Sequence, residues 1–326
     1  MYSHYFTRRS LAVAAAMLLS AVAAQAQSYP TKQIRMVVAY AAGGGTDTIA
    51  RLVAQGMTEQ LGQTIIVENM GGAGGNLATQ NVAAAAPDGY TILMANQGPM
   101  AVNPHLFASL KVDPLKAFDP VTLITAAPLV VVVPAESPYK TFQQLVEAAK
   151  AKPKQINYGS AGNGSASHLA TVLMNVIAKV DTVHVPYRGA GPALNDLIGG
   201  QTQFMVTTLP SVLGLLEGGR VRALAVTTKE RATILPDVPT VAESGYPDYE
   251  ASAWYGFVVP KGTPPAVVAA LRKATVAAIN TPLIKDRLSK EGAKPVGNEP
   301  AEFGAFMASE TKRWAEIVKA SALKLE

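Results

Sequence analysis

From residue 34 onward the chain alternates between two hydrophobic periods, and no other feature limits its possible folds so strongly. The run IRMVVAY (34–40), apolar from Met36 onward, is typical of a buried strand. After three glycines, Ile49, Val53 and Met57 recur at helical spacing as far as Gly62. Strands and helices that alternate predict a parallel sheet with right-handed crossovers. The further predicted elements are strands at 64–70, 90–96, 129–134, 156–160, 182–187, 203–208 and 220–228 and helices at 76–86, 142–152, 168–177, 193–198 and 212–217.

Two proline-rich stretches, at 112–128 and 234–250, interrupt this rhythm. Two interruptions predict that the chain passes twice between two α/β lobes. We expect 27–126 with 250–326 to form the first lobe and 127–249 the second; a third small domain after the second stretch is the alternative. The segments expected to complete the first lobe are a strand at 251–260 and helices at 265–279, 283–291 and 302–319.

The first residues have the layout of an export signal. Arg8 and Arg9 precede an apolar run at 11–24, and AQA at 24–26 is a small-x-small cleavage pattern, so 1–26 is predicted to be a signal peptide. The apolar run is shorter than the about 20 residues that cross a bilayer, which favours removal over anchoring. A buried N-terminal helix is the alternative. The paired arginines leave both the general secretory and the twin-arginine export routes open.

Composition narrows the class of protein. The chain has no cysteine, which excludes a disulfide framework, a thiolate metal site and a lipid-anchoring cysteine. Without Arg8 and Arg9, 26 basic residues face 23 acidic ones, a net charge of +3, too small to favour a nucleic-acid partner. With 49% hydrophobic and 16% charged residues the chain should fold as a compact globule, which we expect to be a periplasmic monomer.

Glycine-rich loops follow several of the predicted strands, where parallel sheets usually bind their ligands. AAGGGTD (41–47) separates the first strand from its helix, and SAGNGSASH (160–168) repeats the arrangement in the second lobe. There the next helix presents unpaired N–H groups and the positive end of its dipole, and glycine lets the backbone approach an anion. Two such loops predict a clamp for a small carboxylate that needs no arginine. GGAGGN (71–76) could act likewise, although a single glycine-rich loop is more often an ordinary turn.

Several polar residues near these loops have two interpretations. Asp47 lies in the first turn of its helix, where it either caps the helix or contacts an ammonium or hydroxyl group of a ligand. Arg188 is either a solvated loop charge or part of a lobe edge that also contains Tyr187. For His168 and His184, which lie far apart in the sequence, a hydrogen-bonded structural role is favoured over catalysis.

Signatures of enzymes are missing from the sequence. There is no Gly-x-Ser-x-Gly elbow, no Walker lysine and no complete dinucleotide fingerprint. Four scattered histidines, one of them in the predicted signal, and no cysteines make a transition-metal site unfavourable. The sequence therefore predicts no catalytic residue, no metal and no cofactor, and we expect the chain not to be an enzyme.

Seven sequence blocks, in this order, span nearly the whole mature chain: YPTKQIRMVVAYAAGGGTDTIARLVA, VENMGGAGGNLAT, VAAAAPDGYTILMAN, INYGSAGNGSASHLA, VHVPYRGAGPALNDLIGGQ, RVRALAVTTKERATILPDVPTVAESGYPDYEASAWYGFVVPKGTP and FGAFMASETKRWAEIVKAS. Together they resemble the Bug family, the TctC-like solute receptors of tripartite tricarboxylate transporters. The resemblance implies an α/β, two-lobed periplasmic binding protein of type II-like form. In it each lobe is a mainly parallel sheet flanked by helices, and the ligand cleft lies between the lobes.

The resemblance also implies where a ligand is held. In such receptors carboxylates contact the loop after the first strand and the serine-glycine loop of the second lobe, often with ordered water; here these are 40–47 and 160–165. This sequence departs from the family's pattern at Ala39 and Ala42, where prolines are usual, and at Thr207, where an aspartate is common. The identity of the ligand is therefore not carried over.

The sequence thus predicts a receptor that binds a small organic acid, a dicarboxylate or an aromatic acid. The resemblance implies that it closes on this ligand as a Venus flytrap and delivers it to the large and small permease subunits of a transporter. A ligand-responsive partner in signalling is the alternative, and a periplasmic enzyme is less favoured. The predicted ligand-binding residues are Tyr40, Ala42, Gly43, Gly44, Asp47, Asn96, Ser160, Ala161, Gly162, Asn163, Gly164, Ser165, His168, Tyr187, Thr207 and Thr208.

Overall fold

The computed structural model describes residues 29–107, 110–290 and 292–320, so the predicted signal peptide lies outside the described residues. The strands are β1 Ile34–Val38, β2 Ile65–Asn69, β3 Thr91–Asn96, β4 Phe118–Pro134, β5 Asn157–Ser160, β6 Val183–Pro186, β7 Phe204–Thr208, β8 Val221–Val226, β9 Ser252–Pro260 and β10 Lys294–Pro295. The helices are α1 Gly45–Leu61, α2 Asn76–Ala83, α3 Asn103–Leu106, α4 Pro114–Ala117, α5 Phe142–Ala151, α6 Ala166–Ala178, α7 Ala190–Ile198, α8 Leu209–Glu217, α9 Pro265–Ile279, α10 Pro282–Lys290 and α11 Pro300–Ala320.

Helix boundaries follow the local signals in the sequence. α1 ends before Gly62, whose φ of 65° places it in the left-handed region, and Gly62 donates its N–H to the carbonyl of Thr58. α6 begins before the predicted His168 because Ser165 acts as its N-cap and accepts a hydrogen bond from the N–H of that histidine. α9 covers the predicted range. The alternation of strands and helices is therefore confirmed.

The strands form one continuous sheet in the order β2-β1-β3-β9-β4-β7-β5-β6, with β8 and β10 also paired to β4. Pairing is parallel between β1 and β2, β1 and β3, β5 and β6, and β5 and β7. The pairs that involve β4 or β9 are antiparallel. The sheet thus has two parallel halves joined by two antiparallel strands. We call β1, β2, β3, β9, β10 and the start of β4 the first half, and β5 to β8 with the end of β4 the second half.

Strand β4 corrects the sequence interpretation of the first proline-rich stretch. The stretch up to residue 128 was expected to be an extended, proline-punctuated connection before a strand at 129–134, yet one strand of 17 residues runs from Phe118 to Pro134. It pairs with β9 as far as Pro128 and with β7 and β8 from Leu129 onward. Irregular register between Pro120 and Thr122 accommodates a proline inside the strand. β4 therefore carries the chain directly from one half of the sheet to the other.

The second crossing between the halves is tied to the first by Thr227, which is fully buried. Its hydroxyl accepts a hydrogen bond from the N–H of Leu129 at 3.0 Å and lies 2.7 Å from the carbonyl oxygen of Ala251. The backbone of Thr227 also donates to Leu129 and accepts from Ala251. One threonine thus fastens both crossing segments at the point where the two halves meet.

Helices cover both faces of the sheet. Successive side chains of a strand point to opposite faces, and along β4 both sets are buried. Along β4, Val131 and Val133 belong to a core shared with both halves, whereas Val130 and Val132 pack with α7 and α8. A further core packs α11 against the first half around Trp254. These cores fix the loops at the carboxyl ends of β1, β3, β5 and β7.

Candidate functional site

A small cavity, here called the inner cavity, lies where the two halves of the sheet meet. Its volume is about 40 Å³, and it is bounded by the carboxyl ends of β3 and β7 and by the loops after β1 and β5. This is the edge at which parallel sheets bind ligands. The residues that line it are Tyr40, Gly44, Gly45, Thr46, Asn96, Gln97, Ala161, Ser165, Ala166, Ser167, Ala190, Thr207, Thr208, Ala253, Trp254 and Tyr255.

The N-termini of four helices, α1, α6, α7 and α8, reach the inner cavity. The N-cap residues Gly44, Gly189 and Thr208 make no side-chain capping hydrogen bond to the first-turn N–H groups of α1, α7 and α8, so no N-cap side chain competes for those groups. In α6, Ser165 caps the helix. The positive ends of four helix dipoles therefore converge on a space suited to an anion.

The first loop needs glycine for this approach. A Cβ atom on Gly45 would overlap the Oγ1 of Thr208, and one on Gly44 would lie 3.5 Å from the Cβ of Ala190. Gly45 and Thr208 belong to different halves of the sheet. The absence of a side chain at residue 45 thus lets the start of α1 meet the second half directly.

Two buried donors among the lining residues have no hydrogen-bond partner: the Nδ2 of Asn96 and the Nε1 of Trp254. Asn96 is 6% exposed and Trp254 is 2% exposed. The hydroxyl of Tyr40 donates to the Oδ1 of Asn96 at 3.3 Å, which fixes the amide with its NH₂ group unused. Because an unpaired buried donor is unfavourable by about 1–3 kcal/mol, these groups call for an acceptor.

Hydroxyl groups form the side of the inner cavity at the end of β7. The Oγ of Ser211 lies 2.8 Å from the Oγ1 of Thr207 and 3.0 Å from that of Thr208, and it donates to the carbonyl of Thr208. Since hydroxyls rotate freely, they can donate to an anion or accept from a water molecule.

No charged residue is found among the described residues that line the inner cavity. Burial, with a smaller contribution from Tyr255, raises the pKa of Tyr40 well above its ordinary value, so its hydroxyl stays protonated at neutral pH. The inner cavity therefore offers neutral donors and helix dipoles to a ligand.

Asp47 lies beside the first loop but does not line the inner cavity. Its carboxylate accepts hydrogen bonds from the N–H of Gly43 at 3.1 Å, from Arg51 at 3.0 Å and from Asn69 at 2.9 Å. Burial opposes its ionisation, but the hydrogen bonds from Arg51, Gly43 and Asn69 outweigh burial and hold its pKa below the ordinary value. These contacts favour the structural interpretation of Asp47, and its contact with a ligand stays a prediction.

Two histidines that are distant in sequence support the second loop (161–165). Their rings, His168 and His184, stack with centroids 4.0 Å apart. The Nδ1 of His168 accepts the N–H of Gly164 at 3.1 Å, and the Nε2 of His184 lies 2.6 Å from the Oγ of the fully buried Ser160. Burial, helped by the neighbouring His184, lowers the pKa of His168 to about 3, and burial lowers that of His184 to about 4. Both side chains are therefore neutral at pH 7, and their hydrogen bonds favour the structural interpretation of each.

A second space, here called the outer groove, adjoins the inner cavity and has a volume of about 410 Å³. Tyr40 and Ala161 line both spaces. Across the seam beside it, the N–H of Ala41 donates to the carbonyl of Arg188 at 3.0 Å, which joins the two halves. The other residues that line the outer groove are Gly71, Gly72, Ala73, Gly74, Gly75, Leu77, Phe107, Gly162, Asn163, Pro186, Tyr187 and Arg188.

The predicted site residues therefore separate into three groups. The first group lines the inner cavity; its members are Tyr40, Gly44, Asn96, Ala161, Ser165, Thr207 and Thr208. The second group lines only the outer groove and consists of Gly162, Asn163 and Tyr187. The third group lines neither space, and its contact with a ligand stays a prediction; its members are Ala42, Gly43, Asp47, Ser160, Gly164 and His168.

Sequence reasoning missed part of the inner cavity. Thr46 and Ser167 lie inside the loops 41–47 and 160–168 and Gln97 directly follows Asn96, so counting every residue of these stretches would have found them. Trp254 and Tyr255 come from β9, far along the chain, and no local pattern marks them. In the described part of the chain, no three histidine, aspartate or glutamate side chains are placed to share a metal ion.

Residues 49–323 match the model of the family described as "Tripartite tricarboxylate transporter family receptor". The chain belongs to this family. Its solved relatives include the periplasmic binding protein BugD, which is 36% identical, with 91% of this chain and all of that one covered and a TM-score of 0.88.

Two solved relatives hold a ligand. Rpa4515 of Rhodopseudomonas palustris with adipate is 34% identical, with 90% of this chain and 98% of that one covered and a TM-score of 0.88. MatC of Rhodopseudomonas palustris with bound malate is 36% identical, with 89% and 100% covered and a TM-score of 0.85.

The family assignment confirms the predicted resemblance and the two-lobed α/β binding-protein fold. It also identifies the chain as a solute-binding receptor, not an enzyme, because the family and its solved members are receptors. Family members are periplasmic binding proteins.

Proposed function

We propose that this receptor holds one carboxylate of a small organic acid in the inner cavity, through backbone N–H groups and neutral side chains, and delivers the acid to the permease pair of a tripartite transporter. The unpaired, buried Nδ2 of Asn96 is the observation that carries the proposal. Asn96 lines a cavity that the N-termini of helices reach, and no charged residue of the described chain lines that cavity. This arrangement suits an anion held by helix dipoles.

A carboxylate matches these donors in number and in charge. An ionised carboxylate offers about four lone-pair sites, and each hydrogen bond to a charged group contributes about 1.5–3 kcal/mol. Donors from the start of α1, from Asn96 and from the hydroxyls of Thr207 and Thr208 could fill these sites together. The adipate and malate of the solved relatives are carboxylates too, which supports the same class of ligand here.

We further propose that the two halves of the sheet, with their helices, act as lobes that open and close around the acid. The proposed lobes are 27–126 with 250–326 and 127–249, and the hinge lies where Thr227 fastens the two crossings. Residues of both halves line the inner cavity of about 40 Å³, so separation of the halves would widen the space through which an acid enters. Removal of the segment 1–26 on export to the periplasm completes the proposal.

The variant Asn96→Asp tests the proposal. It keeps the oxygen that accepts from Tyr40 but replaces the free donor with a second acceptor and adds a negative charge. Titration calorimetry of the mature chain with malate, adipate and a panel of mono- and dicarboxylic and aromatic acids identifies the ligands of the wild type. We expect affinity for each ligand to fall about 100-fold in Asn96→Asp.

Asn195→Asp is the matched control, because Asn195 is exposed on α7 and lines neither space. It should bind as the wild type does. Unchanged affinity in Asn96→Asp, or no binding of any acid in the panel to the wild type, would contradict the proposed function.

A further inference from the structure

We infer that the outer groove is a second anion subsite, which binds the far carboxylate of an acid whose first carboxylate occupies the inner cavity. The preferred ligand is then an extended dicarboxylate with an apolar spacer. This inference rests on the proposed function and adds to it the class of acid that the receptor selects.

The sizes of the two spaces require a ligand larger than a carboxylate to occupy both. About 40 Å³ holds a carboxylate or about three water molecules, since one water needs at least about 10–15 Å³ measured in this way. The outer groove offers about 410 Å³ directly alongside. Tyr40 and Ala161 line both spaces, so the two spaces adjoin at these residues, and the spacer of the ligand would lie there.

The charge of the outer groove is positive. Arg188 is the one charged residue among the described residues that line it, and no aspartate or glutamate is among them. The guanidinium of Arg188 takes part in none of the ion pairs or hydrogen bonds of the described chain, while its carbonyl is anchored by Ala41. Arg188 therefore has a fixed backbone and an uncommitted cationic side chain, which suits a carboxylate.

The opposite wall of the outer groove is a glycine loop with left-handed backbone. The φ angles are 137° at Gly72, 48° at Ala73, 63° at Gly74 and 94° at Gly75. The N-cap of α2 is Gly75, so no N-cap side chain bonds to the first N–H groups of that helix. A Cβ on Gly74 would overlap the carbonyl oxygen of Asn163. The loop thus brings backbone close to the space without filling it with side chains.

Apolar side chains form part of the remaining lining, beside the polar Asn163. Leu77 is 51% exposed and Phe107 is partly buried, and both line the outer groove. The hydroxyl of Tyr187 is held by the carboxylate of Asp196 at 2.7 Å, so its ring, not its hydroxyl, is left for a ligand. Leu77, Phe107 and the ring of Tyr187 give the outer groove apolar surface that a hydrocarbon spacer can cover, which a compact hydroxy acid cannot do.

The test compares linear dicarboxylates from succinate to suberate with their monomethyl esters, by titration calorimetry on the wild type, Arg188→Gln and Arg287→Gln. Arg287 is an exposed arginine on α10 that lines neither space, and it serves as the matched control. Thermal melting of each variant checks that it is folded.

For the wild type we expect at least one extended diacid to bind about tenfold more tightly than its ester. Arg188→Gln should remove this preference and leave the affinity for the ester unchanged, whereas Arg287→Gln should change neither. Equal affinity for diacid and ester, or an equal loss for both in Arg188→Gln, overturns the second subsite and leaves the proposed function intact. Failure of every diacid and ester to bind the wild type overturns the second subsite, and it overturns the proposed function as well when malate and the monocarboxylic and aromatic acids of the wider panel also fail to bind.

Discussion

Lowering the pH from 7 to 5 should destabilise the protein through the stacked pair His168 and His184. Burial holds the pKa of these side chains at about 3 and about 4, against about 6.5 in an unfolded chain. Above pH 6.5 the two histidines are neutral in both the folded and the unfolded state, so they do not change the stability with pH. Below it the unfolded chain takes up protons that the folded chain refuses, so stability falls as the pH drops from about 6.5 toward the folded values.

The magnitude follows from the distance between the unfolded pKa and the chosen pH. At pH 5 the gap is about 1.5 pH units, and one unit corresponds to about 1.4 kcal/mol, which gives a loss of about 2 kcal/mol for the buried His168. His184 is partly exposed, and we discount its share to about 1 kcal/mol. The free energy of unfolding should thus be lower by about 3 kcal/mol at pH 5 than at pH 7.

Urea denaturation at the two pH values measures this loss. The control is the double variant His168→Gln/His184→Gln, which cannot titrate at these positions, while the glutamine at 168 retains an acceptor for the N–H of Gly164. Subtracting the loss of unfolding free energy in the double variant from that in the wild type removes the contribution of the other titrating groups, which the two proteins share. If the double variant loses as much stability between pH 7 and 5 as the wild type does, the assignment of the histidines as buried neutral groups is wrong.

Two further predictions concern closure and the hinge. Gly45→Ala should prevent full closure of the two halves, because the added Cβ would overlap the Oγ1 of Thr208. Its affinity for the ligand should fall at least about tenfold in calorimetry. The control Gly214→Ala, whose Cβ lies in open space on α8, should bind as the wild type does. Thr227→Val should lower the free energy of unfolding by about 2 kcal/mol in urea denaturation, because buried backbone groups at both crossings lose their partner. Thr227→Ser keeps the hydroxyl and should lose clearly less, and equal losses would contradict the role of that hydroxyl.

The first loop could be predicted from sequence because its signals are local. A buried strand, glycines and a helical repeat that stops at a glycine define β1, the loop and α1, and Gly44 was predicted at the site on this basis. The loop after β5 carries the same signals, and Ala161 and Ser165 line the inner cavity as a result.

The strand β4 could not be predicted because its local and long-range signals disagree. Pro120 and Pro128 oppose a strand locally, but one falls at an irregularity in the pairing and the other where the partner strand changes. Pairing with β9, which lies more than 100 residues later, outweighs the local signal.

The inner cavity contains side chains whose position depends on that same pairing. Trp254 and Tyr255 reach the site because β9 lies between β3 and β4 in the sheet, and nothing in their own neighbourhood marks them. The stacking of His168 on His184 likewise requires β5 and β6 to be neighbours, which the sequence distance between the two residues conceals.

The most direct test of the account is a crystal structure of the mature chain with a bound acid. We predict one carboxylate in the inner cavity, within hydrogen-bond distance of the Nδ2 of Asn96 and of backbone N–H groups at the start of α1, with no lysine or arginine on that carboxylate. A carboxylate that lies outside the inner cavity, or one paired there with a cationic side chain, would contradict it.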